Sequence, residues 1–327
     1  MAQGFDQMVH QKAGWIVDLE HKRVLVTGGA GFIGSHTVDA LLERRATVVV
    51  VDNLSTGRME NVNPAAKFYE INIADPGIEE ILEQQRPHII YHFSSFVLVP
   101  KSADNPLLDM DNVVGFIRIM QKAKSISLEK IIFASSAFVY GNTKNLPIKE
   151  TEPVNPVSPY VVAKQAIESY LKFYKSSLGI PYVVLRYATV YGPRQVTGAM
   201  ADYIRKLAAG KQAEIWGDGT KTRDYVYVDD VVRANLLALR IPDDHVDPIF
   251  NAGTGIETTL NTLYGKIAKL LGKKAKPIYY PDRPSEIIRY FLDCTKIKNQ
   301  LGWEPKFISD QALELTIRYA RSKNFNI

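Results

Sequence analysis

The chain has 327 residues and a formal net charge of +5, with 46% hydrophobic and 23% charged residues. These proportions are those of a folded globular protein and exclude a disordered or fibrous chain. The single cysteine, Cys294, excludes a disulfide within the chain. The six scattered histidines lack the spacing of metal ligands, so no metal site is predicted.

Targeting and partner signals are weak along the chain. No apolar run approaches the roughly 18 residues of a membrane span, and residues 1–20 lack the basic start and apolar core of a secretory signal. The basic cluster at residues 272–276 is not interleaved with aromatic residues, as nucleic-acid-binding segments are. We expect a cytoplasmic protein that binds neither membranes nor nucleic acids and whose positive charge suits a small anionic ligand.

Six short apolar runs follow an N-terminal arm at residues 1–20, and segments long enough for helices separate them. In chain order the runs are RVLVT, TVVVVD, KFYEI, HIIYH, KIIFAS and PYVVLR. Such β-branched runs, alternating with amphipathic segments, are typical of buried parallel strands with helices on both faces of the sheet. The predicted fold class is α/β, with a doubly wound parallel sheet.

A glycine-rich turn follows the first predicted strand. The motif RVLVTGGAGFIGSH places Gly28, Gly31 and Gly34 between that strand and a helix that begins near Phe32. A Cβ atom at these positions would block the tight turn and the approach of backbone N–H groups to a pyrophosphate. In this strand–turn–helix context the triplet predicts a dinucleotide site. The alternative is a glycine-rich turn without a ligand.

The second predicted strand ends at Asp52, 18 residues beyond Gly34. A carboxylate at this place accepts hydrogen bonds from the adenosine ribose and repels a 2′-phosphate. The predicted cofactor is therefore NAD, with Arg58 as a nearby cation that would suit NADP instead.

After Arg186 the pattern changes to turn-rich pieces such as YGPRQ, IWGDGTKTRDY and NAGTG, mixed with helical segments. This change predicts a smaller, loop-rich C-terminal lobe that binds the substrate. We predict a Rossmann-type NAD-binding domain at residues 21–187, to which residues 226–250 return. Residues 188–225 and 251–327 are assigned to the lobe.

A tyrosine and a lysine stand four residues apart near the start of a predicted helix. SPYVVAK carries Tyr160 and Lys164, and Ser135 and Ser136 end the strand before it, while Ser158 is expected to cap the helix. The spacing puts phenol and ammonium on one helix face, where the cation lowers the pKa of the phenol. Such a pair is often only a surface contact. Beside strand-end serines and a dinucleotide turn, it predicts that Tyr160 transfers a proton.

Six motifs occur in a fixed order: TGGAGFIG, SSAFVYG, YVVAK, LRYATVYGPR, GDGTKTRDYVYVDD and LGWEP. Together they resemble the extended short-chain dehydrogenase/reductase family, and specifically its nucleotide-sugar epimerase branch, over about residues 23–305. The resemblance implies that a bound NAD removes a hydride from a sugar carbon while a tyrosine takes the hydroxyl proton. The ketone then turns and receives the hydride on its other face.

The resemblance also implies roles for matching residues. Tyr160 is the acid/base, Lys164 lowers its pKa and holds the nicotinamide ribose, and Ser136 hydrogen-bonds the reacting oxygen. The residues implied around NAD are Gly28, Gly31, Phe32, Ile33, Gly34, Asp52, Asn53, Asn72, Ile73, Phe93, Ser94, Ser95, Asn112, Tyr160, Lys164 and Tyr187. Small apolar residues are usual in place of Ser94 and Ser95, and a carboxylate in place of Asn72, so these differences bear on cofactor affinity.

The nucleotide-sugar end follows from the same resemblance. Arg223 and Arg283 match positions that clamp the pyrophosphate, Trp216 is placed to cover the nucleobase, and Glu286 matches the carboxylate that holds the nucleotide ribose. Taken singly, each is better explained by a surface ion pair or a core tryptophan.

Further positions bear on the reaction and on the sugar. Thr189 resembles uronate-specific epimerases, but Val196 stands where those enzymes carry an arginine, and Tyr290 matches a position where bulk excludes N-acetylated sugars. Ala137 and Phe138 stand where dehydratases and decarboxylases need an acidic residue. We expect C4 epimerisation of a UDP-hexose, with UDP-glucose and UDP-galactose favoured. A UDP-glucuronate 4-epimerase or another nucleotide-sugar-modifying enzyme of the family is the alternative.

A non-catalytic NAD sensor with the same fold is a further alternative. Such proteins typically lack the tyrosine or the lysine, whereas Tyr160 and Lys164 are both present. The apolar helices at residues 107–122 and 159–176 resemble the paired dimer helices of the family, so a homodimer is expected.

Overall fold

Seven parallel strands form the central sheet of the protein. The computed structural model describes residues 18–95, 104–283, 286–308 and 310–323. The strands are β1 (Arg23–Thr27), β2 (Thr47–Asp52), β3 (Lys67–Glu70), β4 (Ile89–His92), β5 (Lys130–Ser136), β6 (Tyr182–Tyr187), β7 (Thr189–Tyr191), β8 (Glu214–Trp216), β9 (Thr222–Tyr227), β10 (Ile249–Ala252), β11 (Glu257–Thr259) and β12 (Ile278–Tyr280). The central sheet has the order β10–β6–β5–β4–β1–β2–β3. The predicted doubly wound α/β fold is confirmed, whereas most of the predicted arm, residues 1–17, lies outside the described residues.

Helices cover both faces of this sheet. They are α1 (Phe32–Leu42), α2 (Gly77–Gln85), α3 (Leu107–Ala123), α4 (Pro159–Leu178), α5 (Ala199–Ala208), α6 (Val228–Ala238), α7 (Leu260–Leu270), α8 (Thr295–Leu301) and α9 (Asp310–Ser322). Helices α1 and α6 pack together on one face, and α2, α3 and α4 pack side by side on the other. In the described ranges, none of the helices is both long and apolar enough to cross a membrane.

The two faces of the sheet have separate cores, which explains the unbroken apolar runs in the sequence. Along β1, Val24 and Val26 pack into the core under α1 and α6, whereas Leu25 packs into the core under α2, α3 and α4. Full burial of one such side chain contributes about 1.5–3 kcal/mol. Both sides of a central strand must therefore be apolar.

The order of the strands reverses next to β1. From β1 the chain builds β2 and β3 on one side and then β4, β5 and β6 on the other. In doubly wound sheets a crevice opens outside the carboxyl ends of the strands at such a point. Thr27, Asp52 and His92, which end β1, β2 and β4, therefore mark the place where a ligand site is expected.

Strand β10, at one edge of the central sheet, corrects one detail of the sequence analysis. NAGTG was grouped with the turn-rich pieces, but Asn251 and Ala252 belong to β10, where they pair with Arg186 and Tyr187 of β6. The apolar pair Ile249 and Phe250 carries this strand into the core, so tertiary pairing outweighs the local turn signal. The domain boundaries given above remain a prediction.

Two small sheets carry the rest of the candidate site. Strand β9 pairs with β7 in parallel and with β11 in antiparallel orientation, and β12 pairs with β8 in parallel. Thr189 begins β7, Trp216 ends β8 and Arg223 lies in β9, so three separate strands present these side chains. Strand β9 leads directly into α6, which connects the small sheets to the helix layer that also contains α1.

Candidate active site

One cleft of about 1440 Å³ extends from the carboxyl ends of the central strands to the two small sheets. All the residues that the sequence analysis assigned to the cofactor, the substrate or catalysis line this cleft. Those at the central sheet are Gly28, Gly31, Phe32, Ile33, Gly34, Asp52, Asn53, Asn72, Ile73, Phe93, Ser94, Ser95, Asn112, Ser136, Tyr160, Lys164 and Tyr187. Those at the other end are Thr189, Trp216, Arg223, Arg283, Glu286 and Tyr290.

The glycine-rich turn between β1 and α1 is built from the backbone. Gly28 has a φ of +70°, and its N–H donates to the carbonyl oxygen of Val51 at 2.8 Å. A Cβ on Gly28 would lie 2.7 Å from the backbone nitrogen of Ser94, and a Cβ on Gly34 would overlap the carbonyl oxygen of Gly28. The turn therefore requires glycine both for its conformation and for its packing.

The start of α1 fits a pyrophosphate. Gly31 occupies the N-cap position and, as a glycine, has no side chain to accept a hydrogen bond from the first turn of the helix. The free N–H groups and the positive end of the helix dipole at such a terminus attract anions. The structure therefore agrees with a dinucleotide whose phosphates lie against this turn.

Asp52 closes the same end of the cleft. Its carboxylate accepts hydrogen bonds from the backbone N–H groups of Ala30 at 3.0 Å and Leu54 at 2.8 Å. Burial raises the pKa of Asp52, while these backbone hydrogen bonds lower it. Each carboxylate oxygen accepts more than one hydrogen bond, so Asp52 can hold the turn and still accept from ribose hydroxyls.

Asn72 occupies a position where the family usually has a carboxylate, and in the structure its side chain is hydrogen-bonded to a neighbouring carboxylate. Its side-chain amide donates to Asp111 Oδ2 at 2.8 Å, and Asp111 also lines the cleft. The sequence analysis missed Asp111, although it directly precedes the predicted site residue Asn112. Ser94 is fixed by its backbone N–H, which donates to the hydroxyl of Thr27 at 3.4 Å.

The predicted catalytic residues meet between the two ends of the cleft. Ser136 ends β5, and Tyr160 and Lys164 lie on the first turns of α4, with the hydroxyl of Ser136 close enough to Tyr160 to lower its pKa. Lys164 Nζ donates to the carbonyl oxygen of Ala134 at 2.7 Å and lies 5.8 Å from the centre of the Tyr160 ring. Tyr160 and Lys164 are both buried. The arrangement brings a hydroxyl pair and an ammonium group together at the end of a central strand.

The pKa of Tyr160 differs from the expectation that Lys164 lowers it. Burial raises the pKa of Tyr160 to about 12, against a smaller lowering by the hydrogen bond to Ser136, and the carboxylate of Asp109 raises it further. Burial likewise lowers the pKa of Lys164 to about 7, although Glu168 and Asp109 favour its charged form. Loss of hydration thus outweighs the pair interaction, because both charged forms are costly away from water.

The start of α4 also differs in one detail. Ser158 takes the N-cap position with extended backbone dihedrals, and Pro159 begins the helix as expected, but the Ser158 hydroxyl makes no capping hydrogen bond. The fixed φ of proline is sufficient to start the helix at this place.

A buried cluster behind the catalytic residues was not predicted. Glu168 accepts a hydrogen bond from Ser135 at 2.5 Å and forms an ion pair with Arg186 at 2.6 Å, and all three side chains are buried. Ser135 directly precedes Ser136 in the chain, and Glu168 lies one helical turn after Lys164 in α4. Two members of the cluster are therefore next to candidate catalytic residues. The cluster joins β5 and α4, the two elements that carry the candidate catalytic residues, to β6. A glutamate at the next i, i+4 position after Tyr160 and Lys164 was the available signal.

Aromatic and charged side chains form the far end of the cleft. Trp216 stacks on Tyr280 with ring centres 5.1 Å apart, and the guanidinium carbon of Arg283 lies 4.1 Å from the centre of the Trp216 ring. Arg223 Nη2 is 3.7 Å from Glu286 Oε1. Cations, a carboxylate and an aromatic face are therefore grouped as a nucleoside diphosphate requires.

Tyr290 and Thr189 form the wall near the catalytic residues. Their hydroxyls are hydrogen-bonded, and the Tyr290 ring is in edge-to-face contact with Phe138 at 5.5 Å between ring centres. Tyr290 is buried, whereas Phe138 is only partly so. Tyr187 uses its hydroxyl inside the protein, in a hydrogen bond to Asn235 Oδ1, so it presents its ring and backbone to the cleft.

Several residues that line the cleft between β7 and β9 were missed by the sequence analysis. They lie after Arg186, partly in a turn and partly in α5, β8 and β9, where the sequence did not indicate which side chains line the cleft. They are Arg194, Gln195, Tyr203, Arg205, Lys206, Glu214 and Tyr225. Across the described ranges, no group of three or more His, Cys, Asp or Glu side chains is arranged to hold a metal ion.

Comparison with known families places this cleft in context. The model of the NAD dependent epimerase/dehydratase family matches residues 24–253. The chain belongs to this family. The matched range includes the glycine-rich turn, Ser136, Tyr160 and Lys164, and it ends just after β10.

Members with known activity match most of the chain. The UDP-glucose 4-epimerase of Mycolicibacterium smegmatis is 37% identical over 313 residues, covering 92% of this chain and 99% of that protein. The UDP-glucose 4-epimerase of Thermotoga maritima, crystallised with UDP-glucose, is 42% identical with a TM-score of 0.89, covering 92% of this chain and 99% of the other. The enzyme of Thermus thermophilus, crystallised with NAD, is 36% identical with a TM-score of 0.85, covering 91% and 99%. UDP-glucuronate 4-epimerases are also among the relatives.

These similarities identify the chain as an NAD-dependent nucleotide-sugar epimerase similar to UDP-glucose 4-epimerases. The predictions of the family, the enzyme class and NAD as cofactor are confirmed. The roles of individual residues stay predictions, supported by their positions in the cleft.

Proposed function

We propose that the chain interconverts UDP-glucose and UDP-galactose by epimerising C4 through a transient 4-keto sugar. The observation that carries this proposal is that Ser136, Tyr160 and Lys164 lie together between a dinucleotide end and a cationic end of one cleft. The name of the Thermotoga maritima relative, and the UDP-glucose bound to it, support the choice of substrate.

NAD, when bound, supplies the acceptor and donor of the hydride. The chain supplies the proton transfer: the Tyr160 hydroxyl exchanges a proton with the C4 oxygen, and Ser136 shares a hydrogen bond with that oxygen. Lys164, when it is protonated, places a positive charge close to Tyr160, and this charge favours the phenolate. Burial raises the pKa of Tyr160, which favours the protonated phenol in the free protein.

The residues after Ser136 favour epimerisation over elimination. Ala137 is buried, and Phe138 turns its ring to Tyr290. A dehydratase or decarboxylase needs a further acidic group next to the reacting sugar, and neither of these side chains can transfer a proton. One acid/base and a ketone that can turn over are sufficient for epimerisation.

The wall of the cleft favours a neutral hexose. Cations that line the cleft between β7 and β8 already have carboxylate partners, since Arg194 pairs with Asp39 at 2.8 Å and Arg205 with Asp202 at 2.5 Å. A uronate would have to compete with these carboxylates. Thr189 is the observation that favours a UDP-glucuronate 4-epimerase, which is therefore the second candidate.

The experiment is a substrate panel. Purified protein is incubated with UDP-glucose, UDP-glucuronate and UDP-N-acetylglucosamine, and the C4 epimers are separated. We expect conversion of UDP-glucose to UDP-galactose to be the fastest reaction. Faster conversion of UDP-glucuronate would support the second candidate, and bound NAD without conversion of any UDP-sugar would support a non-catalytic sensor.

A homodimer is also proposed, with α3 and α4 as its interface. Leu107, Met110 and Val114 on α3, and Val162 and Phe173 on α4, are exposed apolar side chains on two helices that pack side by side. An exposed apolar surface of this kind is typical of a protein–protein interface.

Sedimentation velocity tests the dimer. We expect the wild type to sediment as a dimer and the Phe173→Asp variant as a monomer. Val246→Asp is the matched control, because Val246 is 96% exposed and lies outside both helices. A wild type that stays monomeric at micromolar concentration would contradict the proposal.

A further inference from the structure

Lys221 is a buried cation at the nucleotide end of the cleft, just before β9. It is 7% exposed. Its Nζ lies 2.6 Å from Asp282 Oδ1 and 2.5 Å from Glu286 Oε2, so one ammonium group bridges two carboxylates. Lys221 itself does not line the cleft, whereas Glu286 does. Its function must therefore act through the carboxylates that it contacts.

Both carboxylates lie among the groups proposed to hold a diphosphate. The second oxygen of Glu286 is 3.7 Å from Arg223 Nη2, and Asp282 directly precedes Arg283, whose guanidinium lies over Trp216. Two arginines that attract phosphate are thus next to two acidic groups that repel it. Without a third cation, the local charge of these four side chains would be zero.

The affinity of this end of the cleft for a diphosphate depends on the charges of these side chains. Two like charges several ångströms apart repel each other, and the repulsion is stronger near a protein surface than in bulk water because the effective dielectric constant is lower. Burial by itself lowers the pKa of Lys221, but its bonds to Asp282 and Glu286 prevail and raise it. Lys221 is therefore charged at neutral pH and offsets the repulsion.

We propose that Lys221 is a positioning residue that neutralises Asp282 and Glu286 and holds them in place, so that Arg223 and Arg283 can bind the diphosphate of the nucleotide. This inference rests on the proposed function for its ligand class, a uridine diphosphate. It means that Lys221, a residue outside the cleft, contributes together with the two arginines to the preference for a charged nucleotide.

The test compares charged and uncharged ligands on the full-length, NAD-loaded protein. UDP, and uridine at millimolar concentration, are titrated into the wild type and Lys221→Gln by isothermal calorimetry. We expect UDP to bind about tenfold more weakly to Lys221→Gln, because a net charge of one is lost near the phosphates. The affinity for uridine, which is uncharged, should change by less than about twofold. The KM for the UDP-sugar should rise with the loss of UDP affinity, and kcat should change less.

Matched variants separate charge from packing. Lys221→Arg keeps the charge and should restore most of the UDP affinity. Lys266→Gln, which removes another lysine–carboxylate pair on an exposed part of α7, should bind UDP as the wild type does. If Lys221→Gln folds poorly, the double variant Lys221→Gln with Asp282→Asn removes one unpaired carboxylate and should recover part of the UDP affinity.

Two results would overturn the inference: unchanged UDP affinity in Lys221→Gln, or equal losses for UDP and uridine, which would indicate packing alone. The proposed function fails by a different result. A wild type that binds UDP but converts no UDP-hexose would contradict the proposed reaction and leave the role of Lys221 intact.

Discussion

The two ends of the cleft are built in different ways. The pyrophosphate part of the dinucleotide end is formed by the backbone of one turn, in which Gly28 and Gly34 leave no room for a side chain. The nucleotide-sugar end is formed by side chains from four distant places, such as Trp216 of β8 and Arg223 of β9, held by ion pairs and ring stacking. Backbone geometry is common to all ligands with a pyrophosphate, whereas side chains can be exchanged to suit one sugar. We therefore expect the dinucleotide end to fix the cofactor and the nucleotide-sugar end to select the substrate.

The largest effect is expected from a change to Tyr160, the candidate catalytic residue between the two ends of the cleft. Tyr160→Phe removes the hydroxyl that we propose for proton transfer but keeps the ring in its buried site. We expect kcat to fall by about 10²–10⁴-fold, the usual contribution of general acid/base catalysis, while NAD and UDP still bind. The measurement is steady-state conversion of UDP-glucose, together with bound NAD per chain. Unchanged turnover in this variant would refute the role of Tyr160.

The next effect concerns the buried ion pair of Glu168 and Arg186 behind the candidate catalytic residues. Glu168→Gln removes the charge that pairs with buried Arg186, and an unpaired buried charge costs about 3–5 kcal/mol. We expect the free energy of unfolding, measured by urea denaturation, to fall by about that amount. Glu129→Gln is the control, because its pair with Lys22 is exposed and such pairs contribute about 0–1 kcal/mol. Equal losses in both variants would show that burial of the pair does not matter.

A single methyl group should break the backbone-built end. Gly34→Ala places a Cβ against the carbonyl oxygen of Gly28, which must shift and distort the turn. Strain of about 1–3 kcal/mol corresponds to roughly 5- to 150-fold weaker NAD binding, measured by calorimetry on the NAD-free protein. Gly265→Ala is the control, since nothing lies within 4 Å of a Cβ at Gly265. NAD affinity equal to that of the wild type would contradict the requirement for glycine in this turn.

The last effect, which is small for each pH unit, is a dependence of stability on pH. Burial lowers the pKa of Lys164 from 10.5 to about 7, so between these values the unfolded chain binds more protons than the folded protein. The free energy of unfolding should then rise with pH from about 7 to 9.5, by up to about 1.4 kcal/mol per pH unit relative to Lys164→Met. Urea denaturation of both proteins at several pH values measures this slope. Parallel curves would show that Lys164 keeps its ordinary pKa in the folded protein.

The sequence predicted the dinucleotide end well because its information is local. Gly28, Gly31 and Gly34 lie within one turn, and Asp52 ends the neighbouring strand, so spacing along the chain translates directly into position. The capping hydroxyl of Ser158, the turn assigned at Asn251 and the lowered pKa of Tyr160 were wrong. The last two depend on strand pairing and on burial, which involve groups that are distant in sequence. Lys221 and Glu168 were missed for the same reason.

The amino-acid sequence alone determined the α/β fold, the glycine-rich turn, the i, i+4 pair of Tyr160 and Lys164 and, through its motifs, the family. These follow from periodicity and short-range spacing, which steric rules convert into structure without knowledge of the rest of the chain. Only the tertiary structure decided which charges are buried and with whom they pair, as in Glu168 with Arg186 and Lys221 with Asp282 and Glu286. Burial and pairing set the cost of each charge, and both depend on contacts between residues far apart in the sequence.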